Sequence, residues 1–210
     1  MSTPDAFTPI PLFSTPLFSS VVAGHEEHRE PLIRLILDLQ RRYPGIVRSN
    51  RGAWHSGPEW LEHPSEHVAW MLQKVIKFAK LALAKYYDNW SSQELELASS
   101  WANVLGAGGW NAPHHHFPCT WSGVYYVSVP PIVVGSGDPA GMIEFMNPTP
   151  WLSGLGQGGN FVYAPKPGLP LLFPSNVYHY VHPHQTPEPR VSIAYNLVVT
   201  PKAGSRDAPR

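Results

Sequence analysis

Residues 114–127 read HHHFPCTWSGVYYV, a histidine triplet followed by a run typical of a pleated, half-buried strand. In a strand, residues two apart point to the same face, so His114 and His116 can converge on one point while His115 faces away. Neutral imidazoles at that spacing are good ligands for iron, zinc, copper or nickel. Surface histidines would account for a triplet equally well, so a metal site needs a further ligand from elsewhere in the chain.

Residues 171–181, LLFPSNVYHYV, offer that further ligand. An apolar strand, a Pro-Ser turn and a second strand carrying His179 would return a third imidazole to the same place. Eleven residues later, Arg190 opens the apolar segment RVSIAYN. The planar guanidinium would suit a carboxylate held bidentately in a cleft. An ion pair with a nearby acid such as Glu188 is the structural alternative.

The surrounding sequence indicates many short strands. From Leu95 onward, segments rich in Val, Ile and Tyr recur with turn signals between them, and the Gly-rich stretch 152–159 is predicted to be a loop. The strand candidates are 95–105, 122–129, 142–146, 161–164, 169–173, 178–182 and 191–199.

Two helices are predicted before these strands. The apolar spacing indicates one helix over 26–42 and a longer one over 65–87, whose apolar stripe favours packing on a sheet over a coiled coil. Prolines alternate with large apolar residues over 1–24, which indicates an extended edge strand. Residues 49–60 are expected to be irregular. This order predicts an α+β fold, mainly β, in which the helices brace one face of a β-sandwich or barrel.

Composition narrows the function. Lys+Arg and Asp+Glu are both 15, so the formal net charge is zero and there is no electrostatic case for binding nucleic acid or an anionic membrane. A neutral surface is compatible with a homodimer. The single cysteine cannot form an intramolecular disulfide, and no apolar run approaches a membrane span or a secretory signal. We expect a cytoplasmic protein.

Three motifs together resemble the 2-oxoglutarate/Fe(II)-dependent oxygenases that are distantly similar to prolyl hydroxylases. They are His-x-His-(x)5-Ser-Gly-Val-Tyr-Tyr-Val over 114–127, Leu-Phe-Pro-Ser-(x)3-His-x-Val over 172–181 and Arg-x-Ser-Ile-Ala-Tyr-Asn over 190–196. Thr15-Pro16, Ser49-Asn50 and Trp54-His55-Ser56 resemble the same group. The resemblance implies a double-stranded β-helix, or jelly roll, with two supporting N-terminal helices.

The resemblance also implies one oxygenase domain over 1–210. Residues 1–94 would supply the N-terminal strand and supporting helices, 95–200 the jelly-roll core and 201–210 a tail. Such an enzyme uses Fe(II), 2-oxoglutarate as cosubstrate and O2. It would hydroxylate a small-molecule or peptide substrate while 2-oxoglutarate is decarboxylated to succinate.

Individual roles follow from the same resemblance. His114 and His179 would bind the iron, and Arg190 with Ser192 would bind the distal carboxylate of 2-oxoglutarate. Tyr125 and Tyr126 are adjacent on a strand, so only one of them can supply an inward hydroxyl group.

The third iron ligand departs from the family pattern, because His116 occupies the position of the usual Asp or Glu. Three alternatives are open: His116 itself, a water or anion in its place, or a carboxylate from elsewhere, of which Glu144 and Asp138 are the candidates. We favour the three-histidine set. Asp138 lies in a Gly-Ser-Gly-Asp-Pro segment typical of a turn.

Two other function classes compete with an oxygenase. The spacing Gly108-(x)5-His114-x-His116 fits the first signature of a cupin-like metal-binding enzyme, but Thr120 and Trp121 occupy the place of the expected glutamate. The other class is a non-catalytic jelly-roll binding module whose histidines hold zinc or nothing. A charge-transfer band with Fe(II) and 2-oxoglutarate would separate the oxygenase from both.

Overall fold

The computed structural model describes residues 14–57, 59–131, 137–149 and 159–204. Two long helices and a short one accompany nine strands in this part of the chain. The helices are α1 (His25–Arg42), α2 (Glu59–Glu62) and α3 (Glu66–Leu83). The strands are β1 (Phe18–Ser19), β2 (Asn50–His55), β3 (Gln93–His114), β4 (Trp121–Ser128), β5 (Ile143–Phe145), β6 (Phe161–Tyr163), β7 (Pro170–Pro174), β8 (His179–Val181) and β9 (Arg190–Pro201).

The strands form one curled antiparallel sheet in the order β1-β7-β4-β9-β3-β8-β5-β6, with β2 paired to β3. The 22-residue β3 joins the two halves of the curl. Its first part pairs with β9 from Gln93 to Leu105, and its last part pairs with β8 from Asn111 to His114. The sheet therefore has a concave inner face and a convex outer face, which is the jelly-roll arrangement expected from the sequence.

Two apolar cores follow from the alternation of side chains along the strands. On the outer face, Leu32, Ile36 and Leu39 of α1 and Val75 and Ala79 of α3 are fully buried against the sheet. Each large apolar side chain buried there stabilises the fold by about 1.5 to 3 kcal/mol. The inner face holds a second cluster built mainly from β4, β5, β7 and β8. The predicted packing of both long helices on a sheet is confirmed.

Most predicted boundaries agree with the structure within a few residues. The first helix begins one residue earlier than predicted. The second begins after the Ser65 cap, whose hydroxyl accepts a hydrogen bond from the Val68 amide, but it ends at Leu83 instead of 87. Beyond Leu83 the chain leaves the helix in a turn, where the amides of Tyr86 and Tyr87 both donate to the Leu83 carbonyl.

The N-terminal edge strand is present but short. Phe18–Ser19 pairs with β7 at the end of the sheet, as the proline content of 1–24 predicted, while residues 1–13 lie outside the described part. The predicted Gly-rich loop likewise lies outside the described residues, except for Gly159.

The prediction that 49–60 is irregular is wrong. Residues 50–55 form β2 and pair with β3, and α2 follows at Glu59. Gly52 has a φ of +58° at a shift of register between Arg51 and Ala53, so the strand contains an irregularity that breaks the alternation of apolar and polar residues. Among the described residues, no helix is long and apolar enough to cross a membrane.

Candidate metal centre

The pairing of β3 with β8 brings the first two histidines together. His114, the last residue of β3, lies directly opposite His179, the first residue of β8. Their ring centroids are 4.4 Å apart. Residues 114 and 179 are far apart in sequence, so this contact depends on the curl of β3 from one half of the sheet to the other.

His116 joins them from outside the strand. The prediction placed His114 and His116 on one strand, but β3 ends at His114, and the chain beyond is held by the His116 amide, which donates to the Ser175 carbonyl at 2.8 Å. The His116 ring centroid lies 4.9 Å from that of His114 and 5.2 Å from that of His179. One potential ligand atom from each of the three rings lies within 4.8 Å of the others.

Hydrogen bonds orient two of these rings. The Nδ1 atom of His114 lies 2.7 Å from the Ala112 carbonyl, and that of His179 lies 3.0 Å from the Val177 carbonyl. A carbonyl only accepts, so each Nδ1 carries the proton and each Nε2 has a free lone pair. Backbone carbonyls commonly orient metal-binding histidines in this way.

The same environment keeps the imidazoles neutral. Burial, together with the neighbouring imidazoles, lowers the pKa of His116 to about 3. Burial also lowers the pKa of His114, and it lowers that of His179 well below its ordinary value. Neutral imidazole is the form that binds a metal ion. His179 is only 4% exposed.

His115 points away from the cluster, as predicted, although it lies beyond the end of β3 and strand alternation is not the cause. Its side chain is exposed and packs edge-on against Tyr178, and its Nδ1 accepts a hydrogen bond from the Phe117 amide at 3.1 Å. It is not a member of the three-ring cluster.

The two carboxylates considered as a third ligand lie elsewhere. Glu144 Oε2 is 2.6 Å from His182 Nε2, and Glu144 Oε1 accepts from the Asn160 amide at 2.7 Å. Its neighbour Phe145 lies opposite His179 and packs near that ring, so Glu144 points to the other face of β5. Asp138 Oδ1 accepts from the Ala140 amide in a turn, as predicted.

Arg190, the first residue of β9, lines one cavity together with the three histidines. It is 2% exposed, and its Nη1 donates to Ser192 Oγ at 3.2 Å while the guanidinium stacks 4.9 Å from the centre of the Tyr126 ring. Its Nε has no hydrogen-bond partner among the described residues. No carboxylate of those residues forms an ion pair with it, and Glu188 is exposed. Burial lowers the Arg190 pKa.

The structure also resolves the choice between the two tyrosines. Tyr126 stands in one cross-strand row with Ser192 and Asn103, on the inner face of the sheet. Burial raises the Tyr126 pKa to about 12, against the opposing effect of the Arg190 charge. Tyr125 alternates to the outer face, where it belongs to the core under the helices.

The cavity lined by the three histidines and Arg190 has a volume of about 710 Å³. Its wall includes the three histidines, Arg190 and Ser192, and three residues that the sequence analysis did not assign to a site: Asn103, Trp101 and His55. Asn103 is 7% exposed, and its Oδ1 has no partner among the described residues. An asparagine inside the otherwise apolar run 102–105 was the available signal for it.

Trp101 and His55 link the wall to the cluster. The His55 ring stacks on Trp101 with centroids 5.3 Å apart and an interplanar angle of 7°, and Trp101 lies 5.5 Å from His116. His55 Nδ1 lies 2.7 Å from the Ser56 carbonyl, and burial lowers the His55 pKa. His55 reaches the cavity because it ends β2, which pairs with β3. The periodicity of the sequence did not predict this strand and therefore could not identify His55.

One family model matches the part of the chain that holds this arrangement. Residues 99–196, which hold all the predicted site residues, match the family described as "Putative 2OG-Fe(II) oxygenase". No curated protein matches the chain.

Solved structures with the same fold have low sequence identity. A prolyl-4-hydroxylase from Pseudomonas putida has a TM-score of 0.60 at 14% identity, over 88% of this chain and 94% of that one. A Trichoplax adhaerens prolyl hydroxylase in complex with a hypoxia-inducible-factor peptide fragment has a TM-score of 0.62 at 13% identity, over 87% and 83%. HygX from Streptomyces hygroscopicus, with nickel, 2-oxoglutarate and hygromycin B bound, has 0.59 at 11%, over 90% and 84%. The match to this oxygenase family covers 98 of the 210 residues, and the solved structures show that the chain shares their fold.

Proposed function

We propose that His114, His116 and His179 bind Fe(II), and that Arg190 binds the distal carboxylate of 2-oxoglutarate. The protein would oxygenate a substrate while 2-oxoglutarate is decarboxylated to succinate. The observation that carries the proposal is a cluster of three imidazoles in one cavity with a buried arginine that has no acidic partner among the described residues.

The residues fit a divalent metal ion. Three neutral rings, two of them oriented through Nδ1, offer nitrogen ligands from one side and leave the cavity side open. Bound iron would supply the activation of O2 coupled to oxidation of 2-oxoglutarate, which no side chain of the protein can perform. The protein would contribute ligand orientation, a shielded pocket and a fixed electrostatic environment.

The residues also fit an anionic cosubstrate. A buried guanidinium without an ion-pair partner is costly, because burial removes its hydration and no negative charge replaces it. A carboxylate bound at Arg190 would remove this cost, and Ser192 and Tyr126 would hold the guanidinium in position for it. Asn103 stands in the same row and would supply a further polar contact.

A three-histidine ligand set changes the charge of the centre. A family member with two histidines and one carboxylate carries one negative charge among its ligands, whereas three neutral imidazoles carry none. The centre proposed here would therefore be one charge more positive, which strengthens the binding of a dianionic cosubstrate. We expect the same charge to influence which substrate is accepted.

The test is an anaerobic titration of the protein with Fe(II) and then 2-oxoglutarate, followed through the weak visible charge-transfer band of the complex. We expect the band in the wild type, its loss in His179→Ala, its weakening in Arg190→Ala, and succinate formation on admission of O2. His115→Ala is the matched control, because it removes a neighbouring histidine that lies outside the cluster. A cupin-like enzyme or a zinc-binding module would give no band. A charge-transfer band that survives in both His179→Ala and Arg190→Ala would refute the assignment.

A further inference from the structure

We infer that the substrate of this cavity carries an anionic group, a carboxylate or a phosphate, and that Arg48 and Arg51 at the cavity mouth bind it. The inference rests on the proposed function, because it names the substrate class of the same site. It is drawn from three independent features: the construction of the loop that carries both arginines, its connection to the metal-binding histidines, and the distribution of charge around the cavity.

The two arginines stand on residues 46–51, a segment that runs into the first two residues of β2 and that we call the arginine loop. Asn50, 7% exposed, organises it: its Oδ1 accepts from the Arg48 amide at 2.7 Å, and its Nδ2 donates to the carbonyls of Ile46 and Ala53. Arg51 Nη1 donates to the carbonyls of Arg48 and Asn50 at 2.8 and 2.9 Å. The Arg51 guanidinium is thus fixed in direction before any ligand binds.

The arginine loop is tied to the metal centre through a single residue. The Ala112 amide donates to the Ser49 carbonyl at 2.8 Å, and the Ala112 carbonyl accepts from His114 Nδ1 at 2.7 Å. Ser49 Oγ also accepts from Asn111 Nδ2 at 3.2 Å. The backbone of the loop and the Arg51 guanidinium therefore have a fixed position relative to the proposed iron ligand. Such a connection suits recognition of a substrate that must be placed against the iron.

The charge around the cavity has one sign. Its wall includes Arg48, Arg51 and Arg190, and no Asp or Glu among the described residues. The chain as a whole has equal numbers of acidic and basic residues, so overall composition does not explain this segregation. Glu59 lies just outside the wall, where its carboxylate accepts from the Gly57 amide at 2.7 Å.

The proposed cofactors do not neutralise this charge. With three neutral imidazoles, the two positive charges of the iron are balanced by the two negative charges of 2-oxoglutarate. Three positive charges then remain, those of Arg190, Arg48 and Arg51, and the carboxylate of Glu59 balances only one of them. Arg48 has no hydrogen bond or ion pair from its guanidinium among the described residues. A net positive cavity with a free guanidinium at its mouth favours an anion over a neutral or cationic substrate.

The test compares three probes of similar size, benzoate, phenyl phosphate and benzamide, by calorimetric titration of the protein with Fe(II) and saturating 2-oxoglutarate under anaerobic conditions. The variants are Arg48→Gln and Arg51→Gln. Arg34→Gln is the matched control, because it removes the same charge from an exposed position on α1, which packs on the opposite face of the sheet. Circular dichroism of each variant checks that it is folded.

We expect at least one of the two anions to bind at least tenfold more tightly than benzamide. Arg48→Gln and Arg51→Gln should each weaken the binding of that anion about tenfold, while Arg34→Gln leaves its affinity unchanged. The anion that binds more tightly identifies the anionic group of the substrate as a carboxylate or a phosphate. Equal binding of all probes, no binding of either anion, or an equal effect of Arg34→Gln would overturn the inference. The charge-transfer band is recorded in the same samples. Its absence from the wild type refutes the proposed function, whereas a band without anion preference refutes only this inference.

Discussion

Replacement of Arg190 by methionine should change stability in opposite directions with and without 2-oxoglutarate. In the free protein the guanidinium is 2% exposed, and its compensation consists of a 3.2 Å hydrogen bond to Ser192 and the face of the Tyr126 ring. Removing a buried, poorly compensated charge in favour of an apolar side chain of similar length commonly stabilises a protein by about 1 to 4 kcal/mol. We expect a gain in the free energy of unfolding of about 2 kcal/mol for Arg190→Met.

The order should reverse when the cosubstrate is present. At a concentration one hundred times its Kd, 2-oxoglutarate would stabilise the wild type by about 2.7 kcal/mol. Loss of a buried partner of a charged group typically costs about 2 to 5 kcal/mol of binding. For a loss of about 3.5 kcal/mol, the middle of this range, the same concentration would stabilise Arg190→Met by less than about 0.5 kcal/mol. The wild type becomes the more stable protein.

The assay is urea denaturation with anaerobic Fe(II) in all samples, with and without 2-oxoglutarate. For a chain of this length, 2 kcal/mol corresponds to a shift of about 4 to 8 °C in thermal midpoint, so a melting curve gives an independent reading. Arg34→Met controls for the loss of an exposed arginine and should show no crossover. If Arg190→Met is destabilised without 2-oxoglutarate, Arg190 is a structural residue and the reasoning is wrong. A variant that keeps its stabilisation by 2-oxoglutarate would equally contradict it.

Three further outcomes are expected. Tyr126→Phe should weaken 2-oxoglutarate binding about three- to tenfold and Tyr125→Phe should not, as measured by titration of the charge-transfer band. The metal affinity of the folded protein should fall less than threefold from pH 7.5 to 6.0, because the lowered pKa values keep the three imidazoles neutral. Three imidazoles of pKa 6.5 would instead lose about 50-fold in metal affinity over this range. The free energy of unfolding of the metal-free protein should decrease over the same range, because the histidines of the unfolded chain take up protons first. Gly123→Ala should destabilise the fold by about 1 to 3 kcal/mol in urea denaturation, since a Cβ would lie 2.3 Å from the Tyr195 ring, while Gly106→Ala, with open space at its Cβ, should have little effect.

The strands from β4 onward and the two long helices were predictable because side-chain burial follows the periodicity of each element. The strand β2 was not, and the reason lies in its contact with β3. Gly52 and Gly109 face each other so closely that a Cβ on Gly109 would lie 2.9 Å from the Gly52 carbonyl oxygen. Where two backbones approach in this way, the residues that make pairing possible have no side chains, and the apolar signal of a strand disappears. The same glycines hide the continuation of β3 to His114.

The candidate site was likewise predictable in part. The spacing of His114 and His116, with His179 on a returning strand, indicated a shared site, and Arg190 stood out as a costly charge in an apolar segment. Whether Arg190 had an acidic partner, which of Tyr125 and Tyr126 faced inward, and whether Glu144 approached the cluster all depended on register between strands. A shift of one residue would have exchanged the faces, so these questions could not be answered from one strand at a time.

His116 and the arginine loop line the same cavity and both affect its charge. A carboxylate at position 116 would add a negative charge beside the metal and oppose the approach of an anionic substrate. An imidazole there is neutral, so the positively charged groups at the mouth act on the substrate without this opposition. The loop is held in place by Asn50 and Ala112 and not by an acid. On this reasoning, the departure from the usual ligand set and the positive wall of the cavity are two parts of one specificity for anions.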